Sequence, residues 1–127
     1  MPQNQPVRSR TISFNFTSDG LTYTTWINGA IDAEEWIPWT KIERVVAFKR
    51  DLFAYDRMCI AFDASDITFE INEEMVCWSA FVKEMPKFLP GCLNVDAWYD
   101  TVMHPAFATN RTVLYSRNSA TGPAPAA

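Results

Sequence analysis

Alternation of apolar and polar residues between residues 11 and 71 constrains the fold of this chain more than any other feature. Ile12, Phe14 and Phe16 alternate with polar side chains, and similar short runs recur as far as Ile71. An apolar residue at every second position is typical of a strand with one buried face. The runs are joined mainly by short turns, which predicts about six short strands in a small antiparallel sandwich or barrel.

Asn28 and Gly29 predict a tight hairpin turn, because both central residues of such a turn have positive φ, which these two residue types tolerate best. The register predicted from this turn has three pairs: Ile27 with Ala30, Trp26 with Ile31, and Thr24 with Ala33. We expect the face that contains Trp26 to lie in the core. Asp32 and Glu34 are expected on the opposite, wet face.

The strand pattern stops at Pro38, which cannot donate a hydrogen bond to a sheet, and it resumes at Ile42 after a predicted corner. The strand from Ile42 to Lys49 has consecutive apolar residues at positions 45–48. A strand that is apolar on both faces is expected to be covered on both.

The hydrophobic period changes from two to about 3.6 after residue 71, which predicts an amphipathic helix over residues 72–89. Its apolar stripe consists of Met75, Trp78, Phe81, Val82, Met85 and Leu89. Asn72 is expected to cap this helix, with Glu73 and Glu74 in the first turn, where the helix dipole favours negative charge. A short second helix is predicted after Asn94, and a last strand over residues 112–115. The expected fold class is therefore α+β, with about six or seven strands capped by the C-terminal amphipathic helix.

The chain has 127 residues, and we expect a single domain over residues 11–117. Residues 1–10 are polar and are expected to form a flexible arm, and residues 118–127, rich in Ala and Pro, a disordered tail. The start of the chain has no apolar run typical of a signal peptide, and three cysteines without close pairs are typical of reduced thiols. These features predict a cytoplasmic protein.

The formal net charge of −4, with 11 basic residues, argues against binding to nucleic acids or to anionic membranes. His104 is the only histidine, and no two cysteines have the spacing of metal ligands, so no metal site is expected. The glycines are isolated and form no phosphate-binding loop, so no cofactor is expected either. Cys92 and His104 could form a nucleophile–base pair, but we favour a structural role for both, because no orienting group accompanies them.

The order of elements, strands over residues 11–71 followed by one amphipathic helix, resembles the pleckstrin-homology-like architecture. Residues 36–45 resemble the corner-into-strand pattern of its bacterial members. The resemblance implies a bent two-sheet barrel whose open end is plugged by the helix. Members that bind phosphoinositides use a basic loop between the first two strands; here that loop, residues 18–20, has an acid and no base, so no phosphoinositide is expected. Other members of this class bind proteins or peptides, and the resemblance therefore implies that kind of binding.

Four segments resemble small uncharacterised bacterial proteins, a family of unknown function: residues 47–53, 72–75, 89–91 and 107–112. That resemblance brings no catalytic residues. Small acidic proteins of this kind also resemble immunity proteins of bacterial toxin systems, which implies a basic toxin domain as partner.

Residues 49–57 are the strongest candidate for a protein-binding loop, because they combine aromatic side chains with charges of both signs. The predicted contact residues in this loop are Lys49, Arg50, Asp51, Tyr55 and Asp56. The alternative is that Leu52 and Phe53 fold back as a small cluster while the charges pair locally. Asp32 and Glu34 would contact a basic partner, or would only protect a strand edge. Trp39 and Trp98 are expected to be half-exposed and to contribute to binding.

The function expected from these observations is non-enzymatic protein binding, and its specific form is an immunity protein that occludes a bacterial toxin. One alternative is a small-ligand binder or enzyme that uses a groove between the long helix and residues 92–117. Another is an oligomeric scaffold, suggested by the two-sided apolar strand and the many aromatic residues.

Overall fold

The computed structural model of this chain describes residues 9–106, 108–117 and 122–123. Seven strands and two helices lie within them, together with a two-residue strand: β1 (Arg10–Phe16), β2 (Gly20–Ile27), β3 (Ala30–Pro38), β4 (Ile42–Asp51), β5 (Asp56–Ala64), β6 (Ile67–Asn72), α1 (Trp78–Phe88), α2 (Val95–Met103), β7 (Thr112–Ser116) and β8 (Gly122–Pro123). This composition confirms the α+β class.

The strands form two antiparallel sheets. One has the order β1-β2-β3 and the other the order β6-β5-β4-β7-β8. A short 3₁₀ turn over Trp39–Lys41 connects them at the predicted corner. The described strands form two separate sheets and do not close into a barrel. Of the two predicted arrangements, sandwich and barrel, the closed barrel is therefore not present.

The hairpin register is confirmed next to the turn and wrong beyond it. Asn28 and Gly29 both have positive φ, and Trp26 pairs with Ile31 as predicted. A β-bulge at Asp32 then inserts one residue into β3, so Thr24 pairs with Glu34 and not with Ala33. An inserted residue moves every later side chain to the other face of the sheet.

The inner face of the β1–β3 sheet is not the one that contains Trp26, so this prediction was wrong. Phe14, Leu21 and Ile37 are buried on the inner face, and the Tyr23 hydroxyl on the same face donates to the carbonyl of Glu70 in β6 at 3.1 Å. Trp26 lies on the outer face, which no helix covers.

The double coverage of β4 is confirmed. Val45 and Ala47 are buried on the side that faces the core, and Val46 and Phe48 are buried on the opposite side. The guanidinium of Arg50 lies 5.2 Å from the centre of the Phe48 ring and covers part of it.

Helix α1 begins at Trp78, six residues later than predicted. The Asn72 side chain accepts a hydrogen bond from the Glu74 amide at 2.9 Å, which closes a local turn and does not cap a helix. Met75 therefore lies before the helix, and the rest of the predicted apolar stripe, from Trp78 to Leu89, is buried as predicted. The ring of Phe81 lies 5.2 Å from that of Phe14 in β1 and 5.7 Å from that of Phe62 in β5, so α1 joins the two sheets.

Helix α2 follows Asn94, as predicted, and ends at Met103; β7 is also confirmed. Trp98 and Val102 of α2 are buried where the helix packs on β4 and β7. Neither helix of the described residues is long and apolar enough to span a bilayer.

The predicted arm and tail lie largely outside the described residues. Arg10 belongs to β1, and the Ser9 carbonyl accepts a hydrogen bond from the Asn28 amide at 2.8 Å. In the predicted tail, Gly122–Pro123 pair with the start of β7.

Candidate protein-binding surface

Residues 52–55 form the tight connection between β4 and β5. The Asp51 carboxylate accepts a hydrogen bond from the Phe53 amide at 2.9 Å, and the Leu52 amide donates to the Tyr55 carbonyl at 2.9 Å. Phe53 has a φ of 71°, in the left-handed region that large side chains rarely adopt. Its side chain does not fold back: 98% of Phe53 is exposed. The local hydrogen bonds therefore hold a phenyl ring in solvent.

The turn that precedes α1 is tied to this connection. The Glu74 carboxylate accepts a hydrogen bond from the Tyr55 hydroxyl at 3.3 Å and pairs with the Arg57 guanidinium at 3.4 Å. The Glu73 carboxylate accepts a hydrogen bond from the Met58 amide. Glu73 and Glu74 thus bind β5 and its flanking loop, and the prediction that they lie in the first turn of a helix was wrong.

Val76 belongs to the same turn and is fully exposed, and Tyr55 is also exposed. Phe53, Tyr55 and Val76 together are named the tip surface. The alternative considered for the 49–57 loop, that Phe53 folds back, was wrong. The sequence indicated Tyr55 as a contact residue through this loop. It gave no signal for Val76, because the helical period predicted that this residue lies within α1.

Arg50 and Asp51 are exposed but engaged within the chain. Arg50 donates two hydrogen bonds to the Glu70 carboxylate, at 2.9 and 2.6 Å. This pairing raises the pKa of Arg50 and lowers the pKa of Glu70. Asp51 holds the Phe53 amide, as described above. Both residues therefore border the tip surface and hold its shape.

Lys49 is 3% exposed, so its prediction as a surface contact residue does not fit its position. It lies on the core-facing side of β4, in the same row as Val45. Its Nζ donates to the carbonyl oxygens of Met103 and Pro105, each at 2.6 Å, and lies 3.3 Å from the carboxylate of Asp56. Lys49 and the half-buried Asp56 therefore hold the segment after α2 against β4.

Trp39 and Trp98 are buried, and the expectation that they are half-exposed was wrong. The Trp39 indole donates to the Thr17 carbonyl at 2.9 Å, and its ring stacks on Phe88 at 5.1 Å. Trp98, on the buried side of α2, is 1% exposed. Both rings pack in the core that joins the helices to the sheets.

Asp32 and Glu34 are exposed on β3, an edge strand. Because of the bulge, Glu34 shares the outer face of the sheet with Trp26 and the exposed Trp36. The Trp26 indole donates to the Ser13 hydroxyl at 2.8 Å, so its ring lies across the neighbouring strand. This outer face therefore has one exposed carboxylate, that of Glu34, together with two indole rings.

The predicted groove beside the long helix is present. It has a volume of 450 Å³ and lies between Lys83 of α1 and the start of α2, residues 94–97. A second groove of 590 Å³, which the sequence did not indicate, runs along residues 10–14 of β1 and is closed on its other side by Arg57 and the turn before α1.

The Cys92 and His104 pair proposed as an alternative shows no catalytic contact. Cys92 is buried, which raises its pKa to about 12, and its thiol lies 3.6 Å from the Leu93 carbonyl. A thiol with such a pKa is protonated at neutral pH and is a poor nucleophile. Within the described part of the chain, no three His, Cys, Asp or Glu side chains are grouped so that they could hold a metal ion.

Comparison with known proteins gives no match: no protein family, curated protein or solved structure is significantly similar to this chain. Proposals on its function therefore depend on the geometry of its own residues.

Proposed function

We propose that this chain is a non-enzymatic protein-binding module that contacts its partner through the tip surface. The observation that supports this most directly is Phe53, a phenyl ring with 98% exposure held in solvent by local hydrogen bonds. Exposed aromatic side chains that cluster with other apolar groups are typical of interface hot spots.

The frame of the tip surface also favours binding. Asp51 fixes the backbone at Phe53, and Glu74 links the Tyr55 hydroxyl to the turn that contains Val76. A surface that is ordered before binding loses less conformational entropy when the partner arrives. Burial of each large apolar side chain in an interface contributes about 1.5–3 kcal/mol.

Phe53→Ser tests this proposal, with Ile31→Ser as the matched control. Both substitutions remove an exposed apolar side chain, one from the tip surface and one from the outer face of β3. Affinity purification from the source cells should recover a partner with the native protein and with Ile31→Ser, but not with Phe53→Ser. Both variants should keep the native melting temperature. Recovery of the same partner by Phe53→Ser would contradict the proposal.

A narrower form of this proposal is an immunity-type protein that occludes a basic toxin domain. The net charge of −4 supports it, as does the outer face, which Glu34 shares with Trp26 and Trp36. A carboxylate beside indole rings suits an arginine or lysine side chain of a partner. Binding to such a partner should weaken with added salt and in Glu34→Gln. Affinity that is independent of both would contradict this form.

We also propose that the two sheets and α1 are arranged as in pleckstrin-homology-like domains, as in the small bacterial proteins that the sequence resembles. The support is the order of elements and the contacts of Phe81 with both sheets. Superposition of an experimental structure on such domains tests this, and a different path of the strands would contradict it.

Two other functions have one supporting observation each. The groove between Lys83 and the start of α2 could hold a small ligand, and a ligand screen by thermal shift tests this. The exposed Ile31 and Trp36 on an edge strand could join copies into a scaffold. A clean monomer in sedimentation would remove the scaffold function, and a screen without any stabilising compound would remove the ligand function.

A further inference from the structure

We propose that the free edge of β1 binds an extended polypeptide segment with an acidic side chain, which adds to the β1–β3 sheet as a further strand. This site is the 590 Å³ groove along β1, named the β1 groove, and not the tip surface. The groove shares Val76 with the tip surface, but its hydrogen-bonding groups lie on β1, which the proposed function does not use.

The register shows which backbone groups of β1 are free. The Thr17 amide donates to the Gly20 carbonyl, and the Asn28 amide donates to the Ser9 carbonyl. Alternate residues of an antiparallel strand point their backbone groups to opposite sides. Odd-numbered residues of β1 therefore bind β2, and the amides and carbonyls of Arg10, Ile12 and Phe14 point away from it. No described residue pairs with that edge.

The far wall of the groove lies opposite this edge and has two apolar side chains beside its polar ones. Met75 is half-buried and Val76 fully exposed in the turn before α1, and both line the groove together with Ile12. A row of free backbone donors and acceptors beside apolar side chains is the arrangement that binds an extended segment by strand addition. The backbone of the segment would supply hydrogen bonds, and its alternate side chains would contact Met75 and Val76.

The charges of the groove favour a carboxylate on that segment. Arg10 lies at one end and forms no ion pair within the described residues. Arg57, on the wall, pairs with Glu74 through Nη1 at 3.4 Å. Two guanidinium groups thus face one carboxylate. β1 itself contains no acid, so the β1 strand of a second copy could not supply the missing charge.

Ile12→Pro is the decisive substitution, because proline removes an amide that points into the groove and leaves the hydrogen bonds to β2 intact. Trp36→Pro is the matched control. Ile37 pairs with Leu21, so the odd-numbered residues of β3 direct their backbone groups to β2. The amide of Trp36 therefore points to the free edge of β3, at the opposite side of the sheet.

Two labelled peptides of alternating valine and threonine serve as probes, one with a central glutamate and one with glutamine at that position. In fluorescence anisotropy at low salt, the glutamate peptide should bind more tightly by roughly two- to five-fold. Ile12→Pro should weaken its binding about tenfold or more, and Trp36→Pro should leave it unchanged. Equal binding by Ile12→Pro, or no binding of the glutamate peptide to the native protein at millimolar concentration, would overturn the proposal.

Amide hydrogen exchange in the native protein gives a second measurement that does not depend on a variant. The glutamate peptide should slow exchange at Arg10, Ile12 and Phe14, and leave Thr11 and Ser13 as they are. Protection confined to other strands would overturn the site. Sedimentation tests whether a second copy of the chain occupies the groove instead. Self-association that is lost in both Ile12→Pro and Trp36→Pro would show that β3 of one copy pairs with β1 of another. That result would overturn the proposal of a partner segment.

Discussion

Lys49→Met should destabilise the fold far more than the loss of a surface lysine. Lys49 Nζ is the donor for the carbonyls of Met103 and Pro105 and for the Asp56 carboxylate, and only 1% of its side chain is exposed. Methionine has a similar length but no donor. The substitution therefore leaves two carbonyls and a half-buried carboxylate without this partner.

The cost can be worked out from these three acceptors. Breaking a buried ion pair by removing one partner costs about 3–5 kcal/mol, and each unsatisfied buried acceptor costs about 1–3 kcal/mol. Pro105 and the adjacent His104 are exposed, so their segment can turn its carbonyls toward water after the substitution. The lower end of the range, about 3 kcal/mol, is therefore expected. For a chain of this length it corresponds to a fall in melting temperature on the order of 10 °C.

Lys87→Met is the matched control, because Lys87 also pairs with a carboxylate, that of Glu84 at 2.6 Å, but is 70% exposed. Exposed pairs of this kind contribute less than about 1 kcal/mol. Urea and thermal denaturation followed by circular dichroism would measure both variants. Adding Asp56→Asn to Lys49→Met should recover part of the loss, since it removes a half-buried negative charge that no longer faces the Lys49 ammonium. A Lys49→Met protein as stable as Lys87→Met would refute the reasoning.

The Arg50 hydrogen bonds lower the pKa of Glu70 in the folded state, so their stabilisation, less than about 1 kcal/mol for this partly exposed pair, is present at neutral pH and is lost as pH falls below about 4.3. In Arg50→Gln, an NMR titration should show the pKa of Glu70 returning upward; an unchanged value would contradict the pairing. Cys77, the least buried cysteine, should be the one alkylated by iodoacetamide in the native protein, because burial raises the pKa of the other two thiols to about 11 and about 12. Mass spectrometry showing two or three adducts before unfolding would count against this. Gly20→Ala should cost about 2 kcal/mol or more, because an added Cβ would lie 2.4 Å from a backbone oxygen of β3; a native melting temperature would contradict it.

Hydrophobic period was enough to locate most of the elements. β1 and α2 begin within one residue of the positions that the sequence predicted, residue 11 and the residue after Asn94, because each has a regular apolar pattern. The outer and inner faces of the β1–β3 sheet could not be assigned in the same way. Both faces contain large apolar residues, and the decision depends on which face α1 and β6 cover, which is a long-range contact.

A single inserted residue limited the prediction of the acidic face. Extrapolation from the Asn28 turn placed Glu34 opposite the Trp26 face, and the bulge at Asp32 reversed this. Nothing in the composition of β3 marks Asp32 as the extra residue. The combination of Glu34 with two tryptophans, on which the narrower functional proposal depends, was therefore accessible only from the structure.

The loop at the tip surface is shorter than the sequence predicted, because the β4–β5 hairpin is longer. Strands β4 and β5 pair further than expected, so that Arg50 lies opposite Arg57 and Asp51 opposite Asp56. The sequence predicted a loop over residues 49–57, and like charges directly opposite each other disfavour strand pairing. The repulsion is offset from outside the hairpin, since Glu70 pairs with Arg50 and Glu74 with Arg57. Only residues 52–55 remain for the turn. Four residues are too few to fold a phenyl ring back onto the sheet, so the same external pairs that lengthen the hairpin also leave Phe53 exposed.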